Sequence, residues 1–161
     1  MPKAARPSVR RRSLLVVVLV ATLALGISSA PPAAARTGDR ARLLHLINTT
    51  RERHDLRALR FNGSLSRDAM RHTHRMIRQD RVFDPPNLES ILNRYPYDLG
   101  AATVGCADTL HELHRALMHS EIHRSILLNP RLRQVGIGVL TAEGVNRCGR
   151  GSIWATEIFY G

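Results

Sequence analysis

From residue 39 onward the apolar positions change period several times, and each change marks an element. Leu43, Leu44, Ile47 and Arg51 recur at helical spacing and predict a helix over 39–54, with Asp39 as its cap. "LRALRFNGS" breaks that period and reads as a short extended connection with a turn at Asn62-Gly63. Helical spacing returns over 64–80. At about 100° per residue, Leu65, Ala69, His72 and Met76 share one face, and Arg67, Arg71, Arg75 and Arg78 make a stripe on the other. "FDPPNLESIL" is a turn with two prolines, followed by a short helix over 87–93.

"LGAATVG" is the next extended segment. Asp108 is expected to cap a helix over 109–119, with Leu110, Leu113 and Leu117 turned inward and His111 and His114 flanking them or solvated. "SEIHRSIL" is a second helical piece, stopped by Pro130. In "RQVGIGVL", Val135, Ile137 and Val139 alternate with Gln134, Gly136 and Gly138, the period of a strand. The last strand, "GSIWATEIFY", shows apolar residues on both faces: Ile153, Ala155 and Phe159 on one, Trp154, Ile158 and Tyr160 on the other. Such a strand belongs to a sheet covered on both sides. The composite is an α+β fold, a three-layer α/β/α sandwich with a small antiparallel sheet.

The 161-residue chain does not begin with that fold. A basic stretch (Lys3, Arg6, Arg10, Arg11, Arg12) precedes an apolar run over 14–27 and small residues ending at Ala35. That order is a secretory signal over 1–35, cut after Ala35 or, alternatively, Ala30; its apolar part is short for a lasting membrane span. "RRSLL" also resembles a twin-arginine export signal, and an uncleaved anchor is the competing reading. Of the 24 basic residues, five lie in this segment; removing them leaves 19 against 13 acidic ones, a net charge of +6 on the domain over 36–161. All the remaining basic side chains are Arg, so a GC-rich genome accounts for part of the basicity. Three Phe, three Tyr and one Trp supply few platforms for base stacking, which disfavours nucleic acid as a partner. The two cysteines, Cys106 and Cys148, are expected to pair in an oxidising compartment, since the second and last extended segments would bring them together as antiparallel neighbours.

"HSEIH", 119–123, invites comparison with the zinc-protease motif H-E-x-x-H. In that motif the glutamate follows the first histidine and faces the metal. Here Glu121 lies two positions from each histidine, rotated about 200° from His119 on a helix, and points away from the pair. The motif does not describe a protease.

The wider stretch "ALMHSEIHRSILLNPRLRQVGIGV" carries a different pattern. Met118, Ser120, His123, Arg124, Ile126, Leu127, Pro130, Val135, Gly136, Gly138 and Val139 follow W-M-x-S-P-x-H-R-x-N-I-L-x-P-x-[YF]-x-x-V-G-V-G-V, and upstream Asn48, Arg51, Leu56, Leu59, Leu65, Ala69, His74 and Met76 fall at matching places. Together they resemble the bacterial CAP superfamily, the SCP domain named for cysteine-rich secretory proteins, antigen 5 and pathogenesis-related proteins. The resemblance implies an α/β/α sandwich and a cavity lined by two histidines and two acids, which in some members binds a divalent metal.

Carried over residue by residue, the histidine of the S-P-x-H-R motif is His123. The earlier histidine falls on Asp84, the acid of the G-E-N motif on Ala102, the remaining acid near Ser120, and the signature tryptophan on Leu117. The cavity candidates are thus His123, Asp84, Ser120 and His119, with His123 expected to hold the chain through a hydrogen bond across the cavity floor. Zinc usually takes three or four protein ligands, more than this set offers. No catalytic residue, metal or cofactor is expected. The expected function is that of a secreted, monomeric, non-catalytic binding protein for a small lipid-like, cell-envelope or protein ligand. The alternative is a metal-dependent hydrolase with a site rebuilt around His123. The Arg67/Arg71/Arg75/Arg78 stripe is a candidate contact for an anionic surface.

Overall fold

The computed structural model describes residues 33–161, with side chains placed from residue 38 on. The elements are α1 (Ala33–Glu52), β1 (Arg60–Phe61), α2 (Gly63–Arg78), α3 (Leu88–Leu92), β2 (Gly100–Ala107), α4 (Leu110–His119), α5 (Glu121–Leu127), β3 (Gln134–Thr141), β4 (Val145–Asn146), β5 (Gly149–Arg150) and β6 (Ile153–Tyr160). The predicted export segment lies outside the described residues except at 33–35, where α1 begins. Among the described residues no helix is long and apolar enough to cross a membrane.

The main sheet has the order β1-β3-β6-β2, and β4 and β5 form a separate ribbon. β6 is antiparallel to both of its neighbours, as expected. One correction falls at the edge. The connection "RF" adds as a parallel strand, with Arg60 beside Gln134 and Phe61 beside Val135.

The alternation in "VGIGV" decides which helix takes which face. Val135, Ile137 and Val139 join Ala155 and Phe159 in a cluster with Leu43 and Ile47 of α1, Leu113 and Leu117 of α4 and Leu127 of α5. Gly136 and Gly138 face α2 instead. A Cβ on Gly138 would stand 2.4 Å from the Met70 nitrogen, and one on Gly136 2.4 Å from the Leu65 carbonyl carbon. The helix backbone lies on the strand itself, which only glycine permits. Leu65 and Ala69 pack there with Ile158 and with Ile91 and Leu92 of α3, while Met76 meets Trp154 and Val104. Full burial of each large aliphatic side chain contributes about 1.5–3 kcal/mol.

Buried polar groups complete the α2 layer. Ser66 Oγ accepts from the Ile137 backbone N–H at 2.8 Å, on the edge of β3 that two-residue β1 does not reach. Thr73 Oγ1 lies 3.0 Å from Thr156 Oγ1 and 3.1 Å from the Gly138 carbonyl. Asn62 caps α2 by accepting from Leu65 N–H.

The turn after α1 is held from inside. Asn48 exchanges two hydrogen bonds with the Leu59 backbone, and Arg51, wholly buried, donates to the carbonyls of Arg57, Leu127 and Asn129. The Leu127 and Asn129 oxygens lie where α5 ends and lacks intrahelical donors. Both residues stand at family-like positions in the sequence; the structure supplies their task.

Two sequence expectations for α4 change. Its cap is Thr109, not Asp108: Thr109 Oγ1 accepts from Glu112 N–H at 3.1 Å and lies 3.0 Å from the Glu112 carboxylate, a reciprocal arrangement close to a capping box. His114 is buried, not solvated, and its Nε2 meets Thr50 Oγ1 of α1 at 2.7 Å. The helix turns it toward α1 because α4 lies beside α1 on the same face of the sheet. Cys106 at the end of β2 and Cys148 before β5 form a disulfide, with their Cα atoms 6.0 Å apart.

Candidate functional site

His119, Ser120 and His123 sit at the junction of α4 and α5. Ser120 serves as the C-cap of α4 and the N-cap of α5, with no side-chain capping bond in the second role. His119 is exposed, and its Nδ1–H donates to the Arg115 carbonyl at 2.7 Å. His123 is half-buried on α5. Among the described residues its ring makes no hydrogen bond, the expected bond across a cavity floor included. Asp84 is exposed in the turn before α3.

Two cavities flank α4. The first, about 720 Å³, opens between α1, the start of α4 and the start of β6. Leu46, Leu110 and Ile153 give it an apolar floor, and Arg42, His45 and His111 stand among its polar lining. The capping interaction of Thr109 and Glu112 occupies the first-turn N–H of Glu112 beside this mouth. The second, a cleft of about 640 Å³, is lined by Glu112, Arg115 and His119 and reaches Cys148. Neither takes in Asp84, Ser120 or His123. Among the described residues no three His, Cys, Asp or Glu side chains converge as metal ligands.

Titratable groups in the interior are set by burial. His72 Nε2–H donates to the Phe83 carbonyl at 2.7 Å, and its ring stands edge-on to Phe83. Burial holds its pKa below the ordinary value, opposed by the Phe83 bond and, more weakly, by Asp84. Asp84 is thus close enough to His72 to act on it. His114 is likewise lowered by burial and by nearby His111.

Glu157 is a site the sequence pattern does not announce. It lies on β6 between Ala155 and Phe159, 1% exposed, on a face whose other residues are apolar. Thr103 Oγ1 donates to its Oε2 at 2.5 Å, and Oε1 has no partner among the described residues. Burial pushes its pKa to about 7, only partly offset by the Thr103 bond. A signal is nevertheless present: a lone acid inside "IWATEIFY", at a position whose neighbours two apart both turn inward.

The arginine stripe is where the helical period put it. Arg67, Arg71 and Arg78 are exposed, and Arg75 is half-buried. Asp68, the helix's one acid, is turned inward with a side chain 3% exposed and pairs with Arg71 and, at 2.5 Å, with Arg94.

Known structures share this fold. A cysteine-rich secretory protein from Staphylococcus aureus superposes with a TM-score of 0.65 at 23% identity, over 81% of this chain and 40% of that one. An extracellular SCP-domain protein from Bacillus anthracis gives 0.61 at 22% identity, over 82% and 45%. An outer surface protein from Borrelia burgdorferi gives 0.61 at 17% identity, over 77% and 92%. The chain therefore spans less than half the length of the first two, and identities this low speak for the fold alone. No curated protein sequence matches the chain. The family model for CAP, the cysteine-rich secretory protein family, matches residues 44–159, from within α1 almost to the end of β6, and the chain belongs to that family.

Proposed function

We propose that this protein is exported and acts by binding, taking a small ligand with an apolar body into the pocket between α1 and α4. The observation that carries the reading is the pocket itself. Its volume of about 720 Å³ lies in the range of small-molecule sites, and its floor of Leu46, Leu110 and Ile153 is apolar beneath a polar rim. The spread of Asp84, Ser120 and His123 away from both cavities supports binding over chemistry, as does the lack of converging metal ligands among the described residues. The extracellular and outer-surface relatives support export through the segment over 1–35.

A long-chain fluorescent fatty acid is a suitable first probe. Saturable binding is expected, weakened at least about tenfold by Ala41→Trp, which fills the pocket from its exposed wall without touching the core. Absence of saturable binding, or equal affinity in a folded Ala41→Trp variant, would overturn the reading.

A further inference from the structure

The helices of this arginine-rich chain differ in how their exposed charge is balanced. α4 sets Glu112 against Arg115, and α5 sets Glu121 against Arg124. α1 mixes Asp39 and Glu52 with its arginines. α2 does not. Its exposed positions hold Arg67, Arg71, His74 and Arg78, with Arg75 half-buried beside them, and its one carboxylate is folded under the surface. General enrichment in arginine explains the number of these residues. It does not explain why the acids are removed from one face only.

The placement adds to the charge. Arg67, Arg71, Arg75 and Arg78 follow one another along about 16 Å of helix. Asp68 pins Arg71 from one side and draws in Arg94 from beyond α3, so the row is widened by a fifth guanidinium at a fixed position. Among the described residues no carboxylate pairs with Arg67, Arg75 or Arg78. Guanidinium groups bind phosphate oxygens in a matched, two-pronged geometry.

We propose that the exposed face of α2 is a docking row for a linear polymer of phosphodiester units, of the glycerol-phosphate type, engaged by Arg67, Arg75 and Arg78 with Arg71 and Arg94 held in place by Asp68. A line of charges fits a line of phosphates. A bilayer would call for apolar contacts along the whole row of charges, yet of the exposed large apolar side chains among the described residues only Phe61 stands near α2, just before its N-cap, and Ile122 and Val145 belong to other elements. Nucleic acid would call for aromatic platforms, and α2 carries none. The row is separate from the α1–α4 pocket, so failure of one proposal leaves the other standing.

The test titrates the full chain with poly(glycerol phosphate), with single-stranded DNA of matched charge and with phosphatidylglycerol vesicles, at two salt concentrations. With about four phosphates engaged, affinity for the polymer should fall roughly 20-fold between about 50 and 150 mM salt. The variant Arg67→Glu/Arg75→Glu/Arg78→Glu should lose polymer binding while retaining its circular dichroism spectrum. Arg53→Glu/Arg124→Glu/Arg150→Glu, with the same change in net charge elsewhere, should stay within about threefold of the parent at the higher salt. Equal loss in the two variants would reduce the effect to overall basicity and overturn the proposal. So would the absence of polymer binding, or tighter binding of DNA or of vesicles than of the polymer.

Discussion

Arg51 Nη1 donates to the Leu127 carbonyl at 2.7 Å, joining the last turn of α1 to the end of α5 across 76 positions of sequence. The same guanidinium takes the Asn129 carbonyl at 3.1 Å and, through Nε, the Arg57 carbonyl at 2.9 Å. A wholly buried cation with carbonyls in place of a carboxylate is stable because its several N–H donors end up aimed at backbone oxygens, two of them where α5 ends.

Arg51→Met keeps much of the apolar stem and removes the donors. It should lower unfolding free energy by on the order of 3 kcal/mol, since the Leu127 carbonyl in the interior and the part-buried Arg57 and Asn129 carbonyls lose their partner at once. Urea denaturation checks this. A loss below about 1 kcal/mol would mean that the loops re-satisfy themselves.

Gly138 and Gly105 make a matched pair. A Cβ on Gly138 meets the backbone of α2, whereas one on Gly105 would stand 2.9 Å from Leu113 Cδ1, the end of a side chain that can move. Gly138→Ala should therefore cost about 3 kcal/mol or more and Gly105→Ala about 1 kcal/mol or less. Equal melting temperatures for the two variants would contradict the close approach of α2 to β3.

Glu157 gives the fold an unusual pH dependence. Its pKa is about 7 when folded against 4.5 ordinarily. The native state thus binds more protons between those values, and the contribution to stability is full below the lower one and lost as pH rises through about 7. Relative to Glu157→Gln, the parent should lose on the order of 3 kcal/mol between pH 4 and pH 8. Denaturation curves for both proteins across that range decide it; parallel profiles would show that Glu157 is not desolvated as the structure has it.

The Cys106–Cys148 bond closes a loop with a sequence separation of 42 residues. Chain-entropy reasoning gives about 4 kcal/mol for a loop of that length. A Cys106→Ala/Cys148→Ala double variant should melt well below the oxidised parent and coincide with the reduced parent. Coincidence of the double variant with the oxidised parent would show that the bond does not form.

Several elements are legible in the sequence because their signals are local or periodic. The face of Leu65, Ala69, His72 and Met76 is buried as the helical period requires, and the strand from Gln134 to Thr141 follows its alternation. The parallel edge at Arg60–Phe61 is not legible, since two residues carry no period. Glu157 is hidden by its surroundings: a strand apolar on both faces invites the assumption that every position is. His114 goes the same way, because the leucines of α4 define a face but not its width.

The sequence by itself determined the order and type of most elements, the two-sided sheet, the family pattern and the arginine row, all of which depend on residue identity at fixed spacing. Only the tertiary structure decided that Arg51 would be satisfied by carbonyls as distant as those of Leu127 and Asn129, and that Asp68 would be folded beneath the arginines it pairs with. Those outcomes depend on which surfaces meet after the chain has closed, and contacts between segments many tens of residues apart leave no period in the sequence to read.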